Sequence, residues 1–191
     1  RTDHPRISIN HRLSGPHARA GHVCRIYVVT IAMTCAPLHP WQVSPAYARL
    51  IQDEYAGEVE RTDRLGAIRH IGGVDIGFED DGRVTRAALV ILTYPELDLV
   101  EHVIVRRPTR FPYVPGLLSF RETPALLQAL DSVHTDPDLI LCDGQGLAHP
   151  RRFGLACHLG VLTDRPTIGV AKQRLIGQFQ PPPQHRGAWT P

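Results

Sequence analysis

The chain has 191 residues, 42% of them hydrophobic, which is enough for one globular domain with a buried core. Its 21 basic and 19 acidic residues leave a net charge of only +2, so an anionic partner must be bound by a local patch. The four cysteines include no C-x-x-C pair, which argues against a disulfide framework or a zinc knuckle and favours a reducing compartment. No apolar run approaches the roughly 20 residues that span a bilayer. We therefore expect a cytoplasmic protein with no membrane partner.

The first 32 residues differ in composition from the rest of the chain. They are crowded with Arg, His, Pro, Ser and Gly and show no helical or strand period, and the only methionine is Met33. We expect residues 1–32 to be a non-native or disordered upstream extension, with the functional protein starting at Met33. The alternative is a secretory signal built on the apolar run Ile26–Ala36. Arg25 and the threonines weaken that run, which favours the first interpretation.

A helix and three strands are predicted next. Ser44 is typical of a helix N-cap and Pro45 of a first helical residue, and apolar residues recur at helical spacing up to about Thr62. Three largely apolar segments follow, with an Asp-Gly turn between the first two: Ile71–Phe78, Val84–Thr93 and Leu97–Arg106. Strands joined by such short turns are typical of an antiparallel meander.

The second half of the chain alternates helices and strands. A stiff aromatic loop, Phe111–Gly116, leads into a helix predicted to end near Val133. A strand, a helix and a buried strand are then predicted at Asp138–Asp143, His149–Leu162 and Pro166–Ala171. Residues 181–191 show no period, and we expect a disordered tail. This order predicts an α/β fold, a mixed sheet flanked by helices, as in the ribonuclease H-like architecture.

Three carboxylates are candidate metal ligands. Asp75 lies inside the apolar, glycine-flanked first strand, where a charged side chain is costly to bury without a partner. Asp143 ends the fourth strand, at the kind of strand-to-loop junction where open α/β sheets bind ligands. With Glu122 from the preceding helix, these residues could converge on Mg²⁺, which prefers one or two carboxylates plus water and phosphate oxygens. The alternatives are a solvated helix surface for Glu122 and a simple turn for Asp143.

Two glycines and a tyrosine suggest contact with a nucleobase. Tyr113, between Pro112 and Pro115, is either a rigid projection that wedges into a base stack or a cap on the edge of the core. Gly144 and Gly146 have no Cβ, so the backbone there can approach a planar ligand. Together these features suggest a base that is lifted out of its stack and read by main chain.

Four cationic or potentially cationic residues are candidate phosphate contacts. His149, Arg151 and Arg152 fall at the start of a predicted helix, where the macrodipole disfavours them and a bound anion would relieve the repulsion. Lys172 follows the last predicted strand and is either a snorkelling surface lysine or a phosphate contact.

Four ordered motifs between residues 71 and 179 resemble the endonuclease V (deoxyinosine 3′ endonuclease) family. They are Gly73-Val-Asp-Ile-Gly-Phe-Glu79, Pro112-Tyr-Val-Pro-Gly-Leu-Leu-Ser-Phe-Arg-Glu122, Asp143-Gly-Gln-Gly-Leu-Ala-His-Pro-Arg-Arg152 and Thr167-Ile-Gly-Val-Ala-Lys172. The resemblance implies a ribonuclease H-like fold and a DNA repair endonuclease. Such an enzyme hydrolyses the second phosphodiester bond 3′ to deoxyinosine in a Mg²⁺-dependent reaction, with Mn²⁺ as a substitute. The implied partner is DNA with deoxyinosine or other deaminated bases, inosine-containing RNA is an alternative substrate, and we expect a monomer.

The resemblance also implies roles for individual residues. Asp75 and Asp143 match metal-binding aspartates, Glu122 matches the catalytic glutamate and a further metal ligand, and Lys172 matches a lysine near the scissile phosphate. Other matches concern the substrate. The wedge that holds the strands apart matches Pro112, Tyr113, Val114 and Pro115, and the pocket for the flipped base matches Gly144, Gly146 and Leu147. His149 matches a histidine beside this pocket, and Arg151 and Arg152 match DNA contacts.

Members of this family continue beyond the region of Phe179 through further strands and a helix that carries another metal-site residue. We therefore expect residues 33–180 to form an incomplete endonuclease V domain that is truncated at its C-terminus. The alternative function is a fragment that binds inosine or branched nucleic acid without cleaving it.

Overall fold

The computed structural model describes residues 38–63 and 65–190, so the upstream extension expected at residues 1–32 lies outside the described residues. The helices are α1 (Pro45–Tyr55), α2 (Leu118–Asp131) and α3 (Leu155–Thr163), and a short 3₁₀ turn follows α1 at Ala56–Glu58. The strands are β1 (His70–Glu79), β2 (Val84–Thr93), β3 (Leu99–Pro108), β4 (Leu139–Asp143) and β5 (Thr167–Val170). Within the described ranges, no helix is long and apolar enough to cross a membrane.

The five strands form one mixed sheet in the order β3-β2-β1-β4-β5. The pairs β1/β2 and β2/β3 are antiparallel, whereas β4 runs parallel to β1 and β5 runs parallel to β4. This arrangement confirms the predicted α/β fold, with an antiparallel meander extended by parallel strands. It also makes β1, which carries Asp75, the central strand.

The helices pack around two hydrophobic clusters. The larger cluster joins one face of the sheet to α2 and α3 through residues such as Leu89, Leu126 and Leu159, all of them fully buried. The smaller cluster holds α1 against the aromatic loop and the start of α2. The N-terminus of α1 is as predicted, since Ser44 Oγ accepts a hydrogen bond from the Tyr47 amide at 3.2 Å. The helix ends earlier than predicted.

The start of α3 differs from the prediction. Residues 149–154 form a turn, in which the Arg152 amide donates to the His149 carbonyl at 2.8 Å and Arg152 has a φ of 55°. Gly154 is the extended N-cap of a helix that begins only at Leu155. The basic residues therefore do not occupy the first helical turn, and the argument that the helix macrodipole creates an anion site there is wrong.

The prediction of a buried final strand is also wrong. β5 is an edge strand, and Ile168 and Val170 are 46% and 55% exposed. By the strand register they share a face with Val90 and Ile104, opposite the face on which α2 and α3 pack. We call this surface, defined by Val90, Ile104, Ile168 and Val170, the open face.

Candidate active site

The parallel pairing of β1 and β4 brings two candidate carboxylates side by side, because the C-terminal end of β4 lies beside the middle of β1. Val74 pairs with Cys142, so Asp75 and Asp143 each follow one member of this pair. Both aspartates line a groove of about 530 Å³ that Lys172 also lines. The adjacency of the first and fourth strands, on which the predicted site depends, is therefore confirmed.

Glu122 on α2 does not line this groove, but the charges of both aspartates act on it. Its side chain is buried, with 6% of the residue exposed, so the alternative of a solvated helix surface is wrong. Burial raises the pKa of the Glu122 carboxyl to about 8, and the charge of Asp143 and then that of Asp75 add to the effect against the opposing charge of Arg121. The three carboxylates thus lie within electrostatic reach of one another.

Lys172 is bound to one of these acids. Its Nζ atom donates to Asp143 Oδ2 at 2.7 Å, just beyond the C-terminal end of β5. This hydrogen bond and the charge of Asp143 raise the pKa of Lys172, with a smaller contribution from Asp75. Lys172 therefore places a positive charge beside the three candidate acids.

The donor set suits a hard divalent cation, because Mg²⁺ prefers carboxylate oxygens and the charges of Asp143 and Asp75 disfavour ionisation of Glu122 in its absence. In residues 38–63 and 65–190, however, no three His, Cys, Asp or Glu side chains are arranged to hold an ion as they stand. Metal ligation by Asp75, Glu122 and Asp143 stays a prediction.

The glycine-containing loop after β4 is tightly packed by its neighbours. A Cβ atom on Gly154 would lie 2.3 Å from the Gln145 carbonyl oxygen, and one on Gly169 would lie 2.6 Å from the Gly144 carbonyl oxygen. The Gly154 amide also donates to the Gly146 carbonyl at 3.0 Å. The loop that contains Gly144 and Gly146 is thus fixed by main-chain contacts that only glycine permits at Gly154 and Gly169. Reception of a base by this loop and by the half-buried Leu147 stays a prediction.

The aromatic loop projects its tyrosine into solvent. Phe111 is buried, and Val114 packs against the smaller hydrophobic cluster. Tyr113 is 72% exposed, and the flanking Pro112 and Pro115 are exposed as well. Tyr113 is therefore not a cap on the core, and its use as a wedge stays a prediction.

His149 and Arg151 are engaged with this loop. The His149 ring is buried, its Nε2 atom lies 3.0 Å from the Gly116 carbonyl oxygen, and its Nδ1 atom accepts from the Arg151 amide at 3.2 Å. Nε2 must then carry the proton of a neutral ring, and burial lowers the pKa of His149 accordingly. Arg152 is exposed. Contact of these three residues with substrate stays a prediction.

Gln52 is a buried polar residue that the sequence reasoning missed. It is 1% exposed on α1 and bonds to both the aromatic loop and the turn before α3. A signal was present, because Ala48, Ile51, Gln52 and Tyr55 share one helix face at spacings of three and four residues. A polar residue in an apolar stripe needs buried hydrogen-bond partners.

Comparison with known proteins finds one family in both sequence and structure. The Endonuclease V family model matches residues 53–191. Endonuclease V of Roseiflexus castenholzii is 53% identical over 153 residues, which cover 80% of this chain and 68% of that protein. The crystal structure of endonuclease V from Streptomyces avermitilis matches with a TM-score of 0.73 at 46% identity, covering 79% of this chain and 67% of that one.

A third protein was solved with nucleic acid. Ciona intestinalis endonuclease V, in complex with a 23-mer DNA containing an inosine followed by a ribo-adenosine, matches with a TM-score of 0.62 at 31% identity. The match covers 69% of this chain and 59% of that one, so the chain spans about 60 to 70% of these relatives' length. Because the family model matches well over half of the residues and the relatives share up to 53% identity, the chain belongs to the endonuclease V family.

Proposed function

We propose that this protein is a DNA repair endonuclease that hydrolyses the second phosphodiester bond 3′ to deoxyinosine in a Mg²⁺-dependent reaction. The observation that carries the proposal is the placement of Asp75 and Asp143 side by side on the parallel strands β1 and β4, near the buried Glu122. Burial and the charges of the two aspartates raise the pKa of the Glu122 carboxyl. A group of acids that repel one another is suited to a divalent cation and a phosphate. The inosine-containing DNA bound to the Ciona intestinalis relative supports the choice of deoxyinosine-containing DNA as the substrate.

The three carboxylates would hold the cation. Asp75, Glu122 and Asp143 supply the oxygen ligands that Mg²⁺ prefers, and Mn²⁺ would substitute. The bound ion would supply an activated water and neutralise charge on the phosphodiester. Lys172, already paired with Asp143 at 2.7 Å, supplies a second positive charge for the scissile phosphate.

Substrate recognition is assigned to the neighbouring loops. The exposed Tyr113 ring would fill the gap left in the stack when the inosine leaves, since base–aromatic stacking contributes about 1–3 kcal/mol per base. The rigid main chain at Gly144 and Gly146 would receive the flipped base. Arg152, which is exposed, is available to a backbone phosphate.

A nicking assay tests the proposal. The purified chain, Asp75→Asn and Asp80→Asn are incubated with Mg²⁺ and a labelled duplex that carries one deoxyinosine, beside an undamaged duplex and one with ribo-inosine. Asp80 lies in the β1–β2 turn, away from the groove, so it is the matched control. We expect nicking at the second bond 3′ to deoxyinosine by the wild type and Asp80→Asn, with a loss of at least about 100-fold in Asp75→Asn, as for removal of a catalytic electrostatic contact. Equal nicking by all three proteins would overturn the proposal.

A second function is favoured by the ion pair between Lys172 and Asp143. A chain whose own ammonium neutralises this acid could bind inosine or branched nucleic acid without cutting it. Binding of the inosine duplex in Ca²⁺, combined with no nicking in Mg²⁺ or Mn²⁺, would favour this binding function over the enzyme.

A further inference from the structure

The carbonyl oxygen of Gly116 is the meeting point of three side chains. Gln52 Nε2 donates to it at 3.0 Å, Arg151 Nη2 at 3.2 Å, and His149 Nε2 lies 3.0 Å away with its proton directed at it. A carbonyl oxygen has two lone pairs, so three donors saturate it. Gly116 ends the aromatic loop and has a φ of 77°, a conformation that glycine adopts without strain.

Gln52 joins α1, the aromatic loop and the turn before α3. Its Nε2 atom also donates to the Phe153 carbonyl at 3.2 Å, and its Oε1 atom accepts from Arg151 Nε at 2.6 Å. The orientation of the amide is fixed, because the two carbonyls can only accept and the guanidinium can only donate. α1, the aromatic loop and the turn before α3 are thus bonded through one buried side chain.

The aromatic loop is held at both ends, and Tyr113 projects from its middle. Phe111 and Leu117 are buried at its two ends, and the Leu117 amide donates to the Val114 carbonyl at 2.9 Å to close its final turn. Tyr113 projects between them and, with Pro112 and Pro115, makes up the exposed part. With both ends held in the core and Gly116 held by three donors, the direction in which Tyr113 projects is determined by the anchor.

We propose that Gln52 is a positioning residue that fixes the aromatic loop through the Gly116 carbonyl and thereby sets the direction of Tyr113 for insertion into duplex DNA. This inference rests on the proposed function for the role of Tyr113. The anchoring itself does not depend on that role and can be measured separately. Arg151 and His149 act in the same anchor by bonding to the same carbonyl.

The test compares Gln52→Met with Ile51→Ala. Methionine has a similar volume and removes all three hydrogen bonds of the glutamine side chain. Ile51 is the adjacent buried residue of α1 and packs in the same cluster, so Ile51→Ala destabilises the helix without touching the Gly116 carbonyl. Amide hydrogen exchange of Leu117 reports the loop, and exchange in the central turns of α2 reports the rest of the domain. Nicking of deoxyinosine is measured in duplex and in single-stranded DNA, with Tyr113→Ala as the reference.

We expect Leu117 to exchange roughly tenfold faster in Gln52→Met than in Ile51→Ala, since several hydrogen bonds of the anchor are lost. The duplex-to-single-strand activity ratio should fall in Gln52→Met as it does in Tyr113→Ala, because only the duplex must be opened. Leu117 exchange no faster than in Ile51→Ala would overturn the anchor. If Leu117 exchanges faster in Gln52→Met but nicking falls equally on duplex and single-stranded DNA, the link to Tyr113 is overturned.

Two further outcomes are distinguishable. If the wild type nicks neither substrate, the proposed function fails while the exchange measurement still decides the anchor. If Gln52→Met does not melt cooperatively, Gln52→Glu replaces it, because the carboxylate retains an acceptor for Arg151 and removes both donations to carbonyls.

Discussion

Glu122 is a residue at which the proposed function opposes stability. Burial and the two aspartates raise its pKa from 4.5 to about 8, so between these values the folded protein holds a proton that the unfolded chain releases. The contribution of Glu122 to the free energy of unfolding therefore decreases as the pH rises from about 4.5 to about 8. Above that range it stays at its low value.

We expect Glu122→Gln to remove this pH dependence, because the neutral amide has no charge to desolvate. Its melting temperature should exceed that of the wild type by roughly 5 °C at pH 8.5, and the difference should shrink towards pH 5. Thermal melts at pH 5, 7 and 8.5 measure this, with Asp131→Asn at the exposed end of α2 as the control. Added Mg²⁺ should stabilise the wild type more than Glu122→Gln at pH 8.5. A melting difference that is the same at all three pH values would contradict the assignment.

At the scale of elements, the segment before α1 is joined to α2 and α3 by a chain of hydrogen bonds. His39 Nδ1 lies 3.0 Å from the Pro40 carbonyl and must donate to it, so Nε2 of the neutral His39 ring is an acceptor. His158 Nε2 donates to it across 2.7 Å, and His158 Nδ1 accepts from the Ser119 hydroxyl at 2.9 Å. Every ring nitrogen has a partner while both histidines are neutral, whereas protonation of both would set two N–H groups against each other between the rings.

This chain of bonds predicts a loss of stability in mild acid. Burial lowers the pKa of His158 well below 6.5, with the charge of His39 as a second cause. Burial also lowers that of His39, against the Pro40 carbonyl and the charge of Glu54. The unfolded chain therefore binds protons more readily than the folded protein, and stability is lost as the pH falls below about 6.5.

Melts of wild type and His158→Gln at pH 7.5 and 5.5 test this. The wild type should lose several degrees more than His158→Gln, which cannot be protonated, whereas the exposed-residue control His102→Gln should behave as the wild type. The opposite contribution of Glu122 in this pH range is common to all three proteins and cancels in the comparison. An equal loss in wild type and His158→Gln would show that the histidine chain does not limit stability in acid.

The elements that were predicted well are those whose local pattern decides their structure. β2 has the predicted bounds, since ten residues of mainly β-branched and apolar character lie between two turns. The start of α3 was missed because it depends on the close approach of Gly154 to the Gln145 carbonyl, nine positions earlier, which helical periodicity does not encode. The exposure of β5 was missed for a related reason, because its position at the edge is set by the strand order.

Part of the candidate site was predictable from the sequence. The positions of Asp75 and Asp143 followed from the strands that carry them, and their adjacency followed from the order of elements. The burial of Glu122 and the ion pair of Lys172 depend on tertiary packing and could not be deduced from spacing. Gln52 could have been found from its place in an apolar helix stripe.

At the scale of the whole molecule, the two faces of the sheet differ. One face is packed against α2 and α3, while on the open face Ile104 is 55% exposed. By the strand register, Asp75 and Asp143 lie on the same face, between Ile104 and Val170. Exposed apolar side chains on a sheet face bind apolar molecules and hydrophobic dyes.

We expect the chain to bind 1-anilinonaphthalene-8-sulfonate in its native state. The double variant Ile104→Thr with Ile168→Thr should reduce dye fluorescence by about half or more while the melt remains cooperative, since threonine retains β propensity on a strand. Leu50→Thr, on the exposed side of α1, is the control for loss of an exposed apolar residue outside the open face. Fluorescence that falls equally in the control and in the double variant would show that the open face is not the dye site.

The parallel pairing of β1 with β4 also has a kinetic consequence. The meander β1-β2-β3 closes through short turns, whereas Val74 and Cys142 are 68 positions apart when they pair. Long loops cost more entropy to close and non-local strand pairs form slowly, so β4 should join the sheet after the meander has formed. Asp75 and Asp143 become neighbours only at that step. A folding chain therefore has no assembled acid pair until the strand pair with the largest separation in sequence has formed.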